Sequence, residues 1–328
     1  MSSNIVQSLV VPCNDLAETL DFFTEKNEFR LHRIYPAEDP SIADIENHGR
    51  YIRLVKQESG PYPDYPAISG GSTQDLSIET VDLNPPMEVP SAQDTFEMTH
   101  LGDDSDWVIG RVGMEYRNLI SEENGRFGAS HIRITKGGPV EDYVHFHQIR
   151  FQMIYCYKGW AKVVYENQGE SIIMKSGDCV LQPPGIRHRV LESSTGLEVI
   201  EINSPAKHMT GRDHSINLPS QTVDSDRLFI GQKFLHHQAS PGNGGELGIV
   251  EATGGMMSAS IINPKNQFSQ NLEGKFIFNF VLQGDCELVF DKNYSFSAGG
   301  AFIFPTGKEL LLNHCSSDIK ILQVVELP

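Results

Sequence analysis

A chain of 328 residues with 39% hydrophobic content is long enough for two domains, each able to bury a core without external staples. Its formal net charge of -17 argues against the clustered Lys and Arg that nucleic acid or an anionic membrane surface would require, so a small-molecule substrate is expected, with no nucleic-acid or membrane partner. Five widely spaced cysteines (Cys13, Cys156, Cys179, Cys286, Cys315) with no CxxC pair exclude a thiolate zinc motif and a disulfide framework, and read as buried reduced thiols.

The opening segment, MSSNIVQSLVVPCNDL, has no basic leader, and no later run reaches the roughly 18 apolar residues of a membrane span, so a cytoplasmic protein is expected. Residues 1–57 start with a β-branched strand, IVQSLVVPC. Asn14 or Asp15 then caps a helix, DLAETLDFFTEKN, whose Leu16, Leu20, Phe22 and Phe23 recur at near-helical spacing. FRLHRIYP and RYIRLVK complete a β-α-β-β module. Residues 58–100, crowded with Pro, Gly, Ser and acidic side chains and lacking periodicity, read as a linker or a wrapped arm.

From 101 to 215 the chain turns into short strand-like runs punctuated by Gly, Pro, Asn and Asp, the pattern of an all-β sandwich or barrel. Residues 216–328 repeat it with KFIFNFVLQGD, CELVFDK, YSFSAGGAFIFPTGK and DIKILQVVELP, which predicts a second barrel.

The chemistry concentrates in the first barrel. In YVHFHQI the period of two places Tyr143, His145 and His147 on one strand face, so two imidazoles point into the same space and are able to chelate one metal ion. Gln152 has the wrong parity for that strand and joins the two only if the chain turns near residues 148–150. In GDCVLQPPGIRH a Gly-Asp turn, a strand and a Pro-Pro-Gly bend return His188 toward the same cavity. Three imidazoles and one oxygen donor suit Fe(II), Mn(II), Ni(II) or Zn(II) and leave positions open for substrate, water or dioxygen.

These residues carry a family resemblance. HFHQIRFQMIYCYKG resembles the first cupin motif, HxH, four residues, Glu or Gln, six residues and Gly; GDCVLQPPGIRH resembles the second, PxG, two residues and His. The departure is Gln152, where cupins more often carry Glu, which leaves the site one negative charge poorer. Aligning Gly284 with Gly159 puts Gln270, Leu272, Ile277 and Leu310 at the four ligand positions of the second barrel, so that barrel is expected to bind no metal. The N-terminal segment VVPCNDLAETLDFFTEKNEFRLHRI resembles one module of the glyoxalase and extradiol-dioxygenase superfamily. Gln7 and Ser8 stand where that superfamily places a His, so the module is read as structural or interaction-forming.

The resemblance implies a mainly β fold, two jelly-roll barrels of which one is active, preceded by the small β-α-β-β module. It also implies one divalent ion on His145, His147, Gln152 and His188, with Fe(II) favoured over Zn, Ni or Mn. His131 and Arg133, which share a strand face in SHIRI, are expected at the barrel mouth. There Arg133 would clamp a substrate carboxylate and His131 or Tyr143 would move a proton. Arg150 and Arg187 point away from the ligands by parity, and His208, His214 and His236 read as solvated loop residues. The leading expectation for function is a mononuclear non-heme iron dioxygenase. The alternatives are a redox-neutral isomerase or lyase acting on a sugar acid or related carbonyl compound, and a non-enzymatic sensor or storage barrel. Strand edges left by the half-module and the second barrel predict a homodimer.

Overall fold

The computed structural model describes residues 4–73, 76–102, 107–110, 113–240 and 244–328. The architecture is mainly β, with short helices only. Compactness gathers residues 1–88, 143–148 and 207–217 into one unit and residues 89–142, 149–206 and 218–328 into another, a division that cuts across the contiguous blocks of the sequence.

In the first unit, strand Ile5–Cys13 runs parallel to strand Arg50–Lys56 and antiparallel to strand Ile78–Asp82, which lies within the Pro- and Gly-rich arm. The helix Leu16–Lys26 starts where expected: the Asp15 side chain accepts from the Glu18 N–H at 2.9 Å, and Phe23 is fully buried. Strand Ile42–Asn47, which its acidic residues hide from a hydropathy reading, pairs with strands Arg30–Tyr35 and Arg50–Lys56. Its alternation is regular, since Ala43 and Ile45 join the core. Asp44, between them, is also buried and takes Arg33 at 2.6 Å and Arg53 at 2.8 and 2.9 Å, so the carboxylate is both paired and hydrogen-bonded. Strand Met209–Arg212 adds to this sheet beside Arg30–Tyr35, and strand His145–Gln148 pairs with it in turn.

In the second unit a seven-stranded sheet runs in the order Leu235–His237, Cys179–Leu181, Phe151–Lys158, Leu197–Ser204, Gly128–Ile134, Glu115–Asn118, Val108–Ile109. An interior strand of this sheet, Phe151–Lys158, is apolar on both faces. Phe151, Met153 and Tyr155 join one cluster with Phe276, Phe278, Phe280 and Leu282 of strand Phe276–Gln283. Ile154 and Cys156 point the other way, into a cluster with Val163, Tyr165, Val180 and Ile186. Strand Phe276–Gln283 is likewise two-faced: Ile277 and Val281 enter a third cluster with Leu288, Phe296, Leu310 and Leu312, between a six-stranded and a four-stranded sheet. This second sandwich has apolar Ile277, Leu310 and Leu272 at three of the positions aligned with the ligands, so its interior is hydrocarbon there.

One ionic tie is buried in this unit. Glu326, 1% exposed, accepts from Arg126 at 2.6 and 3.0 Å and from Arg150 at 2.7 Å. Burial alone would raise its pKa, but the two guanidiniums hold it below the usual carboxylate value. The folded-state value then lies below the unfolded one, so the contribution is complete near neutrality and is lost as pH falls through the carboxylate range. Glu326→Gln should therefore cost about 2 kcal/mol at pH 7, at the low end for a broken buried pair because the arginines stay 16% and 27% exposed. Chemical denaturation should show the gap between variant and parent closing on acidification.

Candidate metal centre

The chain ends its HxH strand at Gln148 and starts the next at Phe151, which supplies the turn that Gln152 needs. Gln152 is 2% exposed and lies on the face of its strand that carries Ile154 and Cys156 inward. His188 opens strand His188–Ser193 opposite Tyr165, whose ring stacks on it with centroids 5.7 Å apart. Gly159, at φ +76° and with Ser194 Oγ only 2.3 Å from where a Cβ would stand, is the residue that lets the chain turn tightly out of the Gln152 strand.

His145, His147 and His188 are all buried, and their ligand nitrogens lie within 4.8 Å of one another. Among the described residues they form the one group of at least three His, Cys, Asp or Glu side chains gathered so closely. Each ring is anchored through Nδ1. His145 Nδ1 donates to the Tyr143 carbonyl at 2.8 Å and His188 Nδ1 to the Ile186 carbonyl at 3.1 Å, while His147 Nδ1 pairs with Thr210 Oγ1 at 2.9 Å. A carbonyl only accepts, so Nδ1 of His145 and of His188 carries the proton, and in the neutral ring the lone pair stands on Nε2. Such outer hydrogen bonds fix tautomer and ring orientation in metal-binding histidines.

Gln152 Nε2 donates to Glu201 Oε1 at 2.7 Å, which fixes the amide, and its Oε1 is buried with no hydrogen-bond partner among the described residues. A buried carbonyl oxygen without a partner is costly unless something binds it. Three neutral imidazoles and an amide oxygen are a donor set for a divalent first-row metal.

Residues beyond the HxH motif complete the surroundings. Tyr143 sits edge-on to His145 at 5.8 Å, its ring covered by the Arg212 guanidinium at 4.4 Å. His208, expected in solvent, is 3% exposed and packs edge-on against His147 with ring centroids 5.1 Å apart. It is drawn in because strand Met209–Arg212 pairs with the HxH strand, Thr210 opposite His147. Gly211 in that strand faces the Phe146 ring so closely that any larger residue would displace that ring. His214 is likewise engaged, with Nε2 at 2.7 Å from the Leu31 carbonyl, and His236 lies 3.4 Å from Asp178.

His131 and Arg133 need correcting. They share a face as expected, but Ile132 is the residue that enters the barrel cluster, so His131 and Arg133 project from the opposite face. His131 stands among Trp107, Tyr157 and Phe280, with Nε2 at 2.9 Å from Glu198 and Nδ1 receiving Arg117 Nη2 at 3.2 Å. Burial pulls its pKa down, the Glu198 bond opposes the fall and Arg117 adds to it, and the net is a lowered value. Arg133 is paired with Glu115 and lies 4.1 Å over the Trp107 ring. His131 is not among the three clustered histidines.

Among the described residues no helix is long and apolar enough to cross a membrane. No family model matches the chain. No curated protein matches it either. Solved structures similar in fold include variants of oxalate decarboxylase from Bacillus subtilis. Two of these have a TM-score of 0.49 at 12% and 14% identity, over 75% of this chain and 80% of that one. The protein Ylba from E. coli has a TM-score of 0.49 at 10% identity, over 73% of this chain and 94% of that one.

Removing the anchor of His147 with Thr210→Val should weaken binding of a divalent ion by roughly 10- to 100-fold. Competition against a chromogenic chelator measures this directly. Unchanged affinity would mean that Thr210 does not orient a ligand.

Proposed function

We propose that the protein is a metal-dependent enzyme acting on a small organic molecule, with one divalent ion held by His145, His147, His188 and Gln152. The observation that supports this reading is the buried histidine group, two of whose rings donate Nδ1–H to backbone carbonyls, together with a buried Gln152 amide oxygen that has no hydrogen-bond partner among the described residues.

Within that reading we favour a mononuclear non-heme iron dioxygenase. Fe(II) in such a site supplies redox chemistry toward dioxygen and a chelating enol, diketone or catechol-like substrate. The chain's own part is to hold the donors rigid, to exclude water with the apolar lining of Val163, Tyr165, Val180 and Ile186, and to offer the Tyr143 hydroxyl beside His145 for a proton. One observation favours a second reading, a redox-neutral isomerase or lyase on a sugar acid with Zn, Ni or Mn. All four donors are uncharged, and the nearest carboxylate on Gln152, that of Glu201, binds the amide nitrogen. An uncharged donor set leaves a divalent ion a stronger Lewis acid and stabilises its oxidised form less than a carboxylate would.

Metal analysis of untagged protein together with oxygen uptake separates the two readings. About one equivalent of iron with substrate-dependent oxygen consumption is the expected result. Stoichiometric zinc, nickel or manganese without oxygen uptake would replace the dioxygenase by the redox-neutral enzyme. In either case His145→Ala with His188→Ala should strip the ion while the far-UV circular dichroism stays that of the parent. Full metal content in that double variant would overturn the site itself. Gln152→Ala should lower affinity for the ion about tenfold or more.

A further inference from the structure

The face of strand Phe151–Lys158 that carries Phe151 and Met153 into the core continues to Tyr155 and Tyr157, and both line a cavity of about 540 Å³ in the second unit. This volume falls within the range of small-ligand pockets, roughly 300 to 1,000 Å³. Tyr155 is only 7% exposed, yet its hydroxyl makes no hydrogen bond to any described residue. Burial, with Cys179 beside it, pushes the phenol up to about 12, so it stays a neutral donor. Tyr157 is raised in the same direction, chiefly by burial.

The rest of the lining is charged. Glu246, in the edge strand Gly245–Glu246, and Lys320, first in strand Lys320–Glu326, both border the cavity, with His237 and Ser176. Neither Glu246 nor Lys320 has an ion-pair partner among the described residues. Burial raises the Glu246 carboxyl and the like charge of Glu251 raises it further, a cost that a bound cation would relieve. One cavity thus presents an unneutralised anion, an unneutralised cation and a buried phenol donor without an acceptor.

We infer that this cavity is a second ligand site that takes a zwitterion of amino-acid to dipeptide size, its ammonium on Glu246 and its carboxylate on Lys320 and the Tyr155 hydroxyl. Complementarity decides the class: a simple anion leaves Glu246 unmatched and a simple cation leaves Lys320 unmatched, whereas a zwitterion matches both. His145, His147 and His188 have no part in the lining, so the site is independent of the proposed metal chemistry.

The test is calorimetric titration of the full-length protein with the twenty L-α-amino acids and the glycyl dipeptides. At least one should bind saturably, and its N-acetyl and methyl-ester derivatives should each bind at least tenfold more weakly. Glu246→Gln and Lys320→Met change only exposed side chains and should each weaken it about tenfold or more, with Tyr155→Phe weakening it several-fold. The His145→Ala, His188→Ala variant should bind it as the parent does. The inference is overturned if no probe binds saturably, if Glu246→Gln and Lys320→Met both bind like the parent, or if binding disappears with the two histidines, which would move the zwitterion to the metal centre.

Discussion

The second unit depends on one strand being buried on both sides. Phe151–Lys158 puts Phe151, Met153 and Tyr155 against the strand Phe276–Gln283, and puts Ile154 and Cys156 into the barrel. Phe276–Gln283 repeats the arrangement, so three apolar layers stack through two shared sheets. A polar side chain on either strand is therefore taken out of water whichever way it points. Asn279 meets half of the requirement with Gln323, whose Nε2 donates to its Oδ1 at 3.1 Å, while its Nδ2 is buried with no partner among the described residues. Gln152 meets half of it through Glu201 and leaves its oxygen unpaired, at a cost on the order of 1–3 kcal/mol that a bound ion would offset.

The histidines obey the same rule by a local device. His145 and His188 each donate Nδ1–H to the carbonyl two residues earlier, Tyr143 and Ile186, so backbone geometry sets the ring rather than a distant side chain. His147 has no such carbonyl and uses Thr210 from the neighbouring strand. That strand is in turn tied to the first unit's sheet, where Arg33 reaches the Met209 sulfur at 3.5 Å while its Nε is held by Asp44. The Asp44 cluster and the orientation of His147 thus belong to one continuous set of contacts.

The sequence makes legible whatever is written in local period or spacing. The i, i+2 pairing of His145 and His147, the break before Gln152 and the bend before His188 are properties of short segments, and each is found on the element expected. The Asp15 cap and the two-faced strands are of the same kind. What stayed hidden depends on partners far along the chain. Thr210 and His208 reach His147 only because a strand 63 residues later in the chain pairs with the HxH strand. Strand Ile42–Asn47 looks too acidic until Asp44 finds two arginines. Parity told that His131 and Arg133 share a face, but a two-faced strand gives no local signal of which face is the interior.

That last point bears on how protons would be handled at the centre. His131 is committed on both ring nitrogens, to Arg117 and to Glu198, and Glu198 also receives Lys158 at 2.9 Å. With a depressed pKa and no free nitrogen, it serves as a neutral strut between charged neighbours. Two ionisable side chains that pack on the histidine group in the first unit are Tyr143, against His145, and His208, against His147. One phenol and one imidazole thus flank the two adjacent rings of the HxH strand, and the imidazole comes from a segment that the HxH motif does not include.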